Sequence, residues 1–239
     1  MFLRSLLALL PLAAAVTARA APPADAALDQ VIRSIRWLGQ AGLRIDAGGT
    51  VIYLDPIAAP GEPRDGDLIL LTHDHQDHYA PAQIAKVARP SALVVAPFAL
   101  PEGAYSRTRR IAPGQSFTEG GVQVEAVPAY NLVKTRFHPR AKGYVGYLLT
   151  VGGVRVYVAG DTERIPAMKS FTADIAFVPL GQTYTMSGPE EAAQAVLDVK
   201  ARVAIPYHWG MYEGTREDAL RFRQLLEGKV RVLILDLAR

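Results

Sequence analysis

Three of the chain's five histidines fall within six residues, in the run Thr72-His73-Asp74-His75-Gln76-Asp77-His78. Neutral imidazole and carboxylate are ligand chemistry for Zn2+, and mixed nitrogen and oxygen sites also admit Mn2+, Fe2+ or Co2+. His73 and His75 stand two apart, so in an extended segment both side chains point the same way and can share one metal. Asp77 and His78 follow once the chain begins to turn, and they face a neighbouring position. A second metal about 3.5–4 Å away would need a bridging carboxylate and at least one more histidine. Asp161, in Gly160-Asp161-Thr162, and His208, in Pro206-Tyr207-His208, are the candidates. Such a site makes water acidic enough to attack a carbonyl carbon or a phosphorus near neutral pH, with Asp77 placed to orient the water or take its proton. The chain has no cysteine, so thiolate ligands and thiol nucleophiles are excluded. No Gly-x-Ser-x-Gly turn or phosphate-binding loop occurs in the sequence.

These side chains need strands that end at one place. Short β-branched runs predict strands over 31–38, 42–46, 50–54, 67–72, 92–96, 122–129, 144–151, 154–159, 175–180, 203–207 and 230–235, with Gly48-Gly49 and Gly152-Gly153 as hairpin turns. Helices are expected over 81–88, from the capping-box spacing Ser187-Gly188-Pro189-Glu190, and from Thr215, with Asp218 three residues on. Many strands and few helices imply an α/β fold of two packed sheets with helices outside. Four apolar strands run straight into polar residues: His73, Tyr130-Asn131, Asp161 and His208. Ligand sites assemble at such carboxyl ends.

Half of the 239 residues are apolar, which excludes a disordered or collagen-like chain. Residues 1–20 read as a signal peptide: Arg4, then an uncharged run over 6–16, then Ala18-Arg19-Ala20 as a cleavage site. The run is too short to span a bilayer comfortably, so no stable membrane insertion is expected after cleavage. Cleavage would take two arginines and no acid, leaving 24 basic against 23 acidic residues. A near-neutral domain has no field to attract nucleic acid. The expectation is export to the periplasm or beyond, with a linker over 21–29 and one domain over 30–239.

The histidine run resembles the defining motif of the metallo-β-lactamase-fold hydrolases. Leu54-Asp55-Pro56, Gly160-Asp161-Thr162 and Pro206-Tyr207-His208 resemble that family's other acidic and ligand segments, so the likeness covers nearly the whole mature chain. The layout is most similar to the branch of L-ascorbate-6-phosphate lactonase and N-acylphosphatidylethanolamine phospholipase D. The resemblance implies an αββα sandwich with metals at one edge. His73 and His75 would bind the first metal, Asp77, His78 and His208 the second, and Asp161 would bridge. Asp55 would support the ligand loop from behind.

One position departs from the pattern. That branch places a histidine at the end of a Pro-Ala-x-His segment, and here the segment reads Pro128-Ala129-Tyr130-Asn131. Either the first metal is weakly held or absent, or His138, seven residues on, reaches in as the replacement. The other role for His138 is at the surface or against substrate. Lys134, Arg136, Arg140 and Lys142 form either a solvated loop or a lid for an anionic substrate. Arg107, Arg109 and Arg110 read as surface, while Tyr184 and Trp209 either line the pocket or pack.

The implied activity is an exported metal-dependent hydrolase acting on a small ester, lactone or phosphodiester. It would use one or two metals per chain, Zn2+ first and Mn2+ or Fe2+ as alternatives. The competing reading is a non-catalytic or mononuclear metal-binding or sensing domain. A β-lactamase is disfavoured by the missing cysteine and missing Gly-His-Thr segment, and a nuclease by the charge balance.

Overall fold

The computed structural model describes residues 24–238, so the targeting segment over 1–20 lies outside the described residues. Two sheets face one another. The first runs in the order β1 (Ile35–Gly39), β2 (Gly42–Asp46), β3 (Val51–Leu54), β4 (Gly66–Leu70), β5 (Ala88–Ala96) and β6 (Arg107–Arg110). The second runs β13 (Arg231–Val232), β12 (Val203–Tyr207), β11 (Ile175–Pro179), β10 (Val154–Val158), β9 (Val145–Val151), β8 (Val122–Pro128) and β7 (Ser116–Glu119).

Period-two alternation builds the layers. Along β3 to β5, Ile52, Leu54, Leu68, Leu70, Leu93 and Val95 enter the core between the sheets. Their neighbours Val51, Tyr53, Ile69, Val94 and Ala96 form a second core with Ile84 and Val87 of α2 (Pro81–Val87). On the far side, Ala192 and Val196 of α3 (Pro189–Asp198) and Phe222 of α4 (Arg216–Leu225) join the larger core against the second sheet. The order of layers is therefore helix, sheet, sheet, helix, as the resemblance implies.

Strand direction decides where the site can be. Strands β3 to β6 are mutually parallel. In the second sheet β9 is antiparallel to both β8 and β10, so those two run the same way, and β11 and β12 continue parallel to β10. The carboxyl ends of β3 and β4 in one sheet, and of β8, β10 and β12 in the other, carry the candidate residues to one edge. Buried tyrosines tie that edge down. Tyr147 donates to the Leu71 carbonyl across the sandwich at 2.7 Å, and Tyr207 Oη accepts the Gly160 N–H at 2.9 Å.

The structure corrects four boundaries. Helix α1 (Ala24–Ser34) occupies most of the expected linker and the start of the strand expected over 31–38. Leu28 and Val31 enter the core at helical spacing, with Ala27 and Ile32 partly buried beside them, so burial of that stripe overrides the β-branching of Val31 and Ile32. The capping box at Ser187 does not form. Gly188 occupies the N-cap without a side-chain bond, and Glu191 accepts the N–H groups of Ser187 and Arg164 instead. Thr215 and Asp218 do form theirs. The last strand shrinks to Arg231–Val232. Strands β6 and β7 carry no periodic apolar signal; every residue of β6 is exposed, including Arg107, Arg109 and Arg110.

Gly146 allows β9 to lie close to the end of β10, where an added Cβ would stand 2.6 Å from the Ala159 carbonyl oxygen and 2.7 Å from that of Val158. Both obstacles are backbone. Gly146→Ala should cost at least about 2 kcal/mol in urea unfolding, in the upper range for overpacking, and an unchanged midpoint would show that the two strands have slack.

Candidate metal centre

Three strand ends enter the site through left-handed backbone. Gln40 follows β1 at φ 46°, Asp55 follows β3 at φ 40°, and His208 follows β12 at φ 58°. Non-glycine residues there cost of order 1–3 kcal/mol each and persist only where surrounding bonds hold them. The Gln40 carbonyl accepts the His208 N–H at 2.9 Å, and the Asp55 N–H is given to the Leu70 carbonyl at 3.0 Å.

Beyond β4 the chain runs without regular structure to His73, bends at Asp74 and His75 and turns over 76–78, with the N–H groups of His78 and Tyr79 given to the His75 carbonyl at 3.0 and 2.8 Å. The expected split follows. His73 Nε2 and His75 Nδ1 lie 3.1 Å apart, and His138 Nε2 stands 3.3 Å from the same His75 nitrogen. Separately, His78 Nε2 and His208 Nε2 are 3.2 Å apart, with Asp77 Oδ2 at 3.6 and 3.5 Å from them. Two groups of donors result, His73, His75 and His138 in one and Asp77, His78, Asp161 and His208 in the other, each with all its donor atoms within 4.8 Å of one another. The Asp161 carboxylate spans them. Its Oδ1 is 3.2 Å from both His78 Nε2 and His208 Nε2, and its Oδ2 is 3.4 Å from His138 Nε2 and 4.0 Å from His73 Nε2.

The rings are aimed by bonds on their outer nitrogens. His78 Nδ1 donates to Asp55 Oδ2 at 2.8 Å, while Asp55 also accepts the Thr72 N–H and hydroxyl at 2.8 and 2.6 Å. His138 Nδ1 donates to the Tyr184 carbonyl at 3.0 Å. Both arrangements leave Nε2 facing inward, which is how carboxylates and carbonyls orient ligating histidines. The expected supporting role of Asp55 has this geometry.

The set fits a cation. Ring nitrogens face one another at 3.1–3.3 Å, and Asp161 Oδ1 is buried without a hydrogen bond. Nitrogen and carboxylate donors without thiolate suit Zn2+, Mn2+ or Fe2+. Burial, then the His78 charge, pushes the His73 pKa well below its ordinary value, so its lone pair is free. Burial lowers His138 likewise, against the pull of Asp161. Burial alone would raise the carboxylates, but His208 and His78 hold Asp161 well below the usual range, and they bring Asp77 down to about 2. At His78 burial is outweighed by Asp161 and Asp55, so its pKa lies well above 6.5 and loading a cation there displaces a proton.

Asn131 braces a loop through its nitrogens, while its Oδ1 is buried without a hydrogen bond. Its Nδ2 donates to the carbonyls of Tyr184 at 2.7 Å and Lys134 at 3.1 Å, and its N–H is given to the His138 carbonyl at 2.8 Å, so it closes the loop that brings His138 in. Glu163 pins the same loop. This buried carboxylate accepts three successive N–H groups, from Leu132 at 2.6 Å, Val133 at 2.7 Å and Lys134 at 3.0 Å. Sequence reasoning missed Glu163, although it lies two residues beyond Asp161. It also missed Gln40, which obeys the strand-end rule and places Nε2 3.1 Å from Asp77 Oδ2 and 2.9 Å from His208 Nε2. Trp209 packs, stacking on Trp37 with ring centroids 5.0 Å apart, whereas Tyr184 lines the cavity over the donors.

Residues 34–208 match the family model described as the beta-lactamase superfamily domain. A UPF0173 protein of Pyrococcus abyssi is 33% identical over 213 residues, covering 85% of this chain and 95% of its own length. A UPF0173 metal-dependent hydrolase of Nitratidesulfovibrio vulgaris is 33% identical over 209 residues, covering 80% and 86%. Among solved structures, one from Parabacteroides distasonis superposes with a TM-score of 0.71 at 32% identity, covering 85% of this chain and 93% of that one.

Glu163→Ala leaves the amides of Leu132, Val133 and Lys134 without their acceptor. Their hydrogen exchange should accelerate at least tenfold while β9 to β11 stay protected, and unchanged exchange at those three amides would remove Glu163 as the clamp.

Proposed function

We propose, for a chain that belongs to the metallo-β-lactamase superfamily and within it to the UPF0173 metal-dependent hydrolases, that two metal ions serve hydrolysis of a small ester, lactone or phosphodiester. The observation that carries this reading is the Asp161 carboxylate, whose two oxygens face different donor groups. His73, His75 and His138 would hold one ion, Asp77, His78 and His208 the other, and Asp161 both. Zn2+ suits the donors best. The choice of ester chemistry rests on the resemblance to the lactonase and phospholipase branch, and export rests on residues 1–20.

Metal bound there supplies Lewis acidity that makes water a nucleophile near neutral pH. The protein's own groups do the rest. Asp77 stays ionised at working pH and is partly open to the cavity, where it can orient water and accept its proton. The Gln40 amide donates to Asp77 and keeps the other carboxylate oxygen free for that task. The strained backbone at Gln40, Asp55 and His208 fixes the donors before substrate arrives.

Elemental mass spectrometry on chelator-free protein should give about two metals per chain, and His138→Ala about one. Two metals retained in that variant would remove His138 from the ligand set, and none in the wild type after reloading would overturn the reading.

A further inference from the structure

The cavity above the donor groups has a volume of about 340 Å³. Its floor is polar, with His75, Asp77, Asp161 and His208. Its walls are Phe137, Tyr184 and Tyr212, and no lysine or arginine is among the described residues that line it. None of the four cations of the neighbouring loop enters the lining, and three of them are placed elsewhere. Lys134 Nζ donates to the carbonyls of Gln182 and Thr185, and Arg140 lies over the Tyr130 ring at 5.3 Å, beside a different cavity. Arg136 stands 5.9 Å from the Phe137 centroid without lining the pocket, and Lys142 borders another hollow. The charge at the rim is negative: Glu213, whose carboxylate accepts the N–H of Thr183 at 2.7 Å.

Exposed apolar side chains stand on or against the segments that supply this lining. Leu132 and Val133 stand in the loop that continues into Phe137, Met211 precedes Tyr212, and Leu237 approaches Gly39, next to Gln40. With Tyr184 and Tyr212 these are all six of the exposed large hydrophobic side chains among the described residues. Apolar surface on the segments that form a pocket marks what the pocket takes up.

Building on the hydrolytic reading, we propose that the substrate is an uncharged carboxylic ester or lactone with an apolar arm of several carbons lying against Phe137, Tyr184 and Tyr212. A phosphodiester would carry its charge past Glu213 with no lysine or arginine in the lining to help the metals receive it. A neutral carbonyl meets no such penalty, and its arm leaves water. In the reaction the water oxygen bonds to the carbonyl carbon, and the C–O bond to the leaving oxygen breaks with its electron pair. The leaving oxygen takes up one proton and the acid product loses the other.

The test uses the metal-loaded protein with p-nitrophenyl acetate, butyrate and hexanoate, and with mono-p-nitrophenyl succinate and bis(p-nitrophenyl) phosphate as charged counterparts. The kcat/KM should rise roughly two- to fourfold per methylene, with both anionic compounds at least tenfold below butyrate. Tyr212→Ala should shrink the hexanoate to acetate ratio at least threefold. Independently of turnover, 2-octanone should shift the NMR lines of Phe137, Tyr184 and Tyr212 in metal-free protein more than octanoate does. A flat length series, a preference for either anion, or no shift with 2-octanone overturns the substrate class. Turnover confined to the phosphodiester overturns it while keeping the hydrolase, whereas turnover that survives chelation overturns the metal-dependent reading instead.

Discussion

A carboxylate almost wholly withdrawn from water is the constraint around which this molecule is arranged. Asp161 is buried at the junction of the two sheets, and an ionised group in that position survives only if compensating charge surrounds it. Four imidazole nitrogens stand within 4.0 Å of its oxygens, contributed by the ends of β4 and β12 and by the loop after β8. Those segments are far apart in sequence, so satisfying one side chain requires both sheets to be correctly aligned at once. The same requirement explains why so much of the surrounding framework consists of directed hydrogen bonds rather than contact alone. Tyr147, Tyr207 and Thr72 each fix a backbone segment that carries a donor.

The layers legible in the sequence were those whose periodicity coincided with burial. Strands β2, β8, β9, β10 and β12 lie where alternating or continuous apolar runs predict them, and the polar residues that follow do converge at one edge. The start of the chain misled because Val31 and Ile32 favour strands in isolation, yet Leu28 and Val31 share one helical face and the core rewards it. The edge strands β6 and β7 left no trace, since an exposed edge needs no apolar face.

The site divides in the same way. The His73 to His78 run announces its ligand chemistry by composition, and its donors do separate into two groups, although the chain bends at Asp74 and His75 rather than staying extended between the first two histidines. Asn131 is the instructive position. Read alone it is a lost histidine, and in three dimensions it is the brace that holds the loop bringing His138 to the vacated corner. That exchange of roles depends on the backbone path of 131–138, which no local pattern encodes. Gln40 was silent for a related reason: a lone glutamine after a strand has no signature until its neighbour across the fold, His208, is known.

Where His138 sits has a consequence for metal exchange. The donors at His78 and His208 belong to segments locked into both sheets, so releasing an ion from that corner means disturbing the core. The other corner is closed by a surface loop held by the Glu163 carboxylate, the Asn131 amide, the Tyr184 carbonyl and the Lys134 ammonium. Opening that loop alone withdraws one donor of three. Were both groups of donors to hold metal, the one completed by His138 would exchange its ion faster than the one completed by His208.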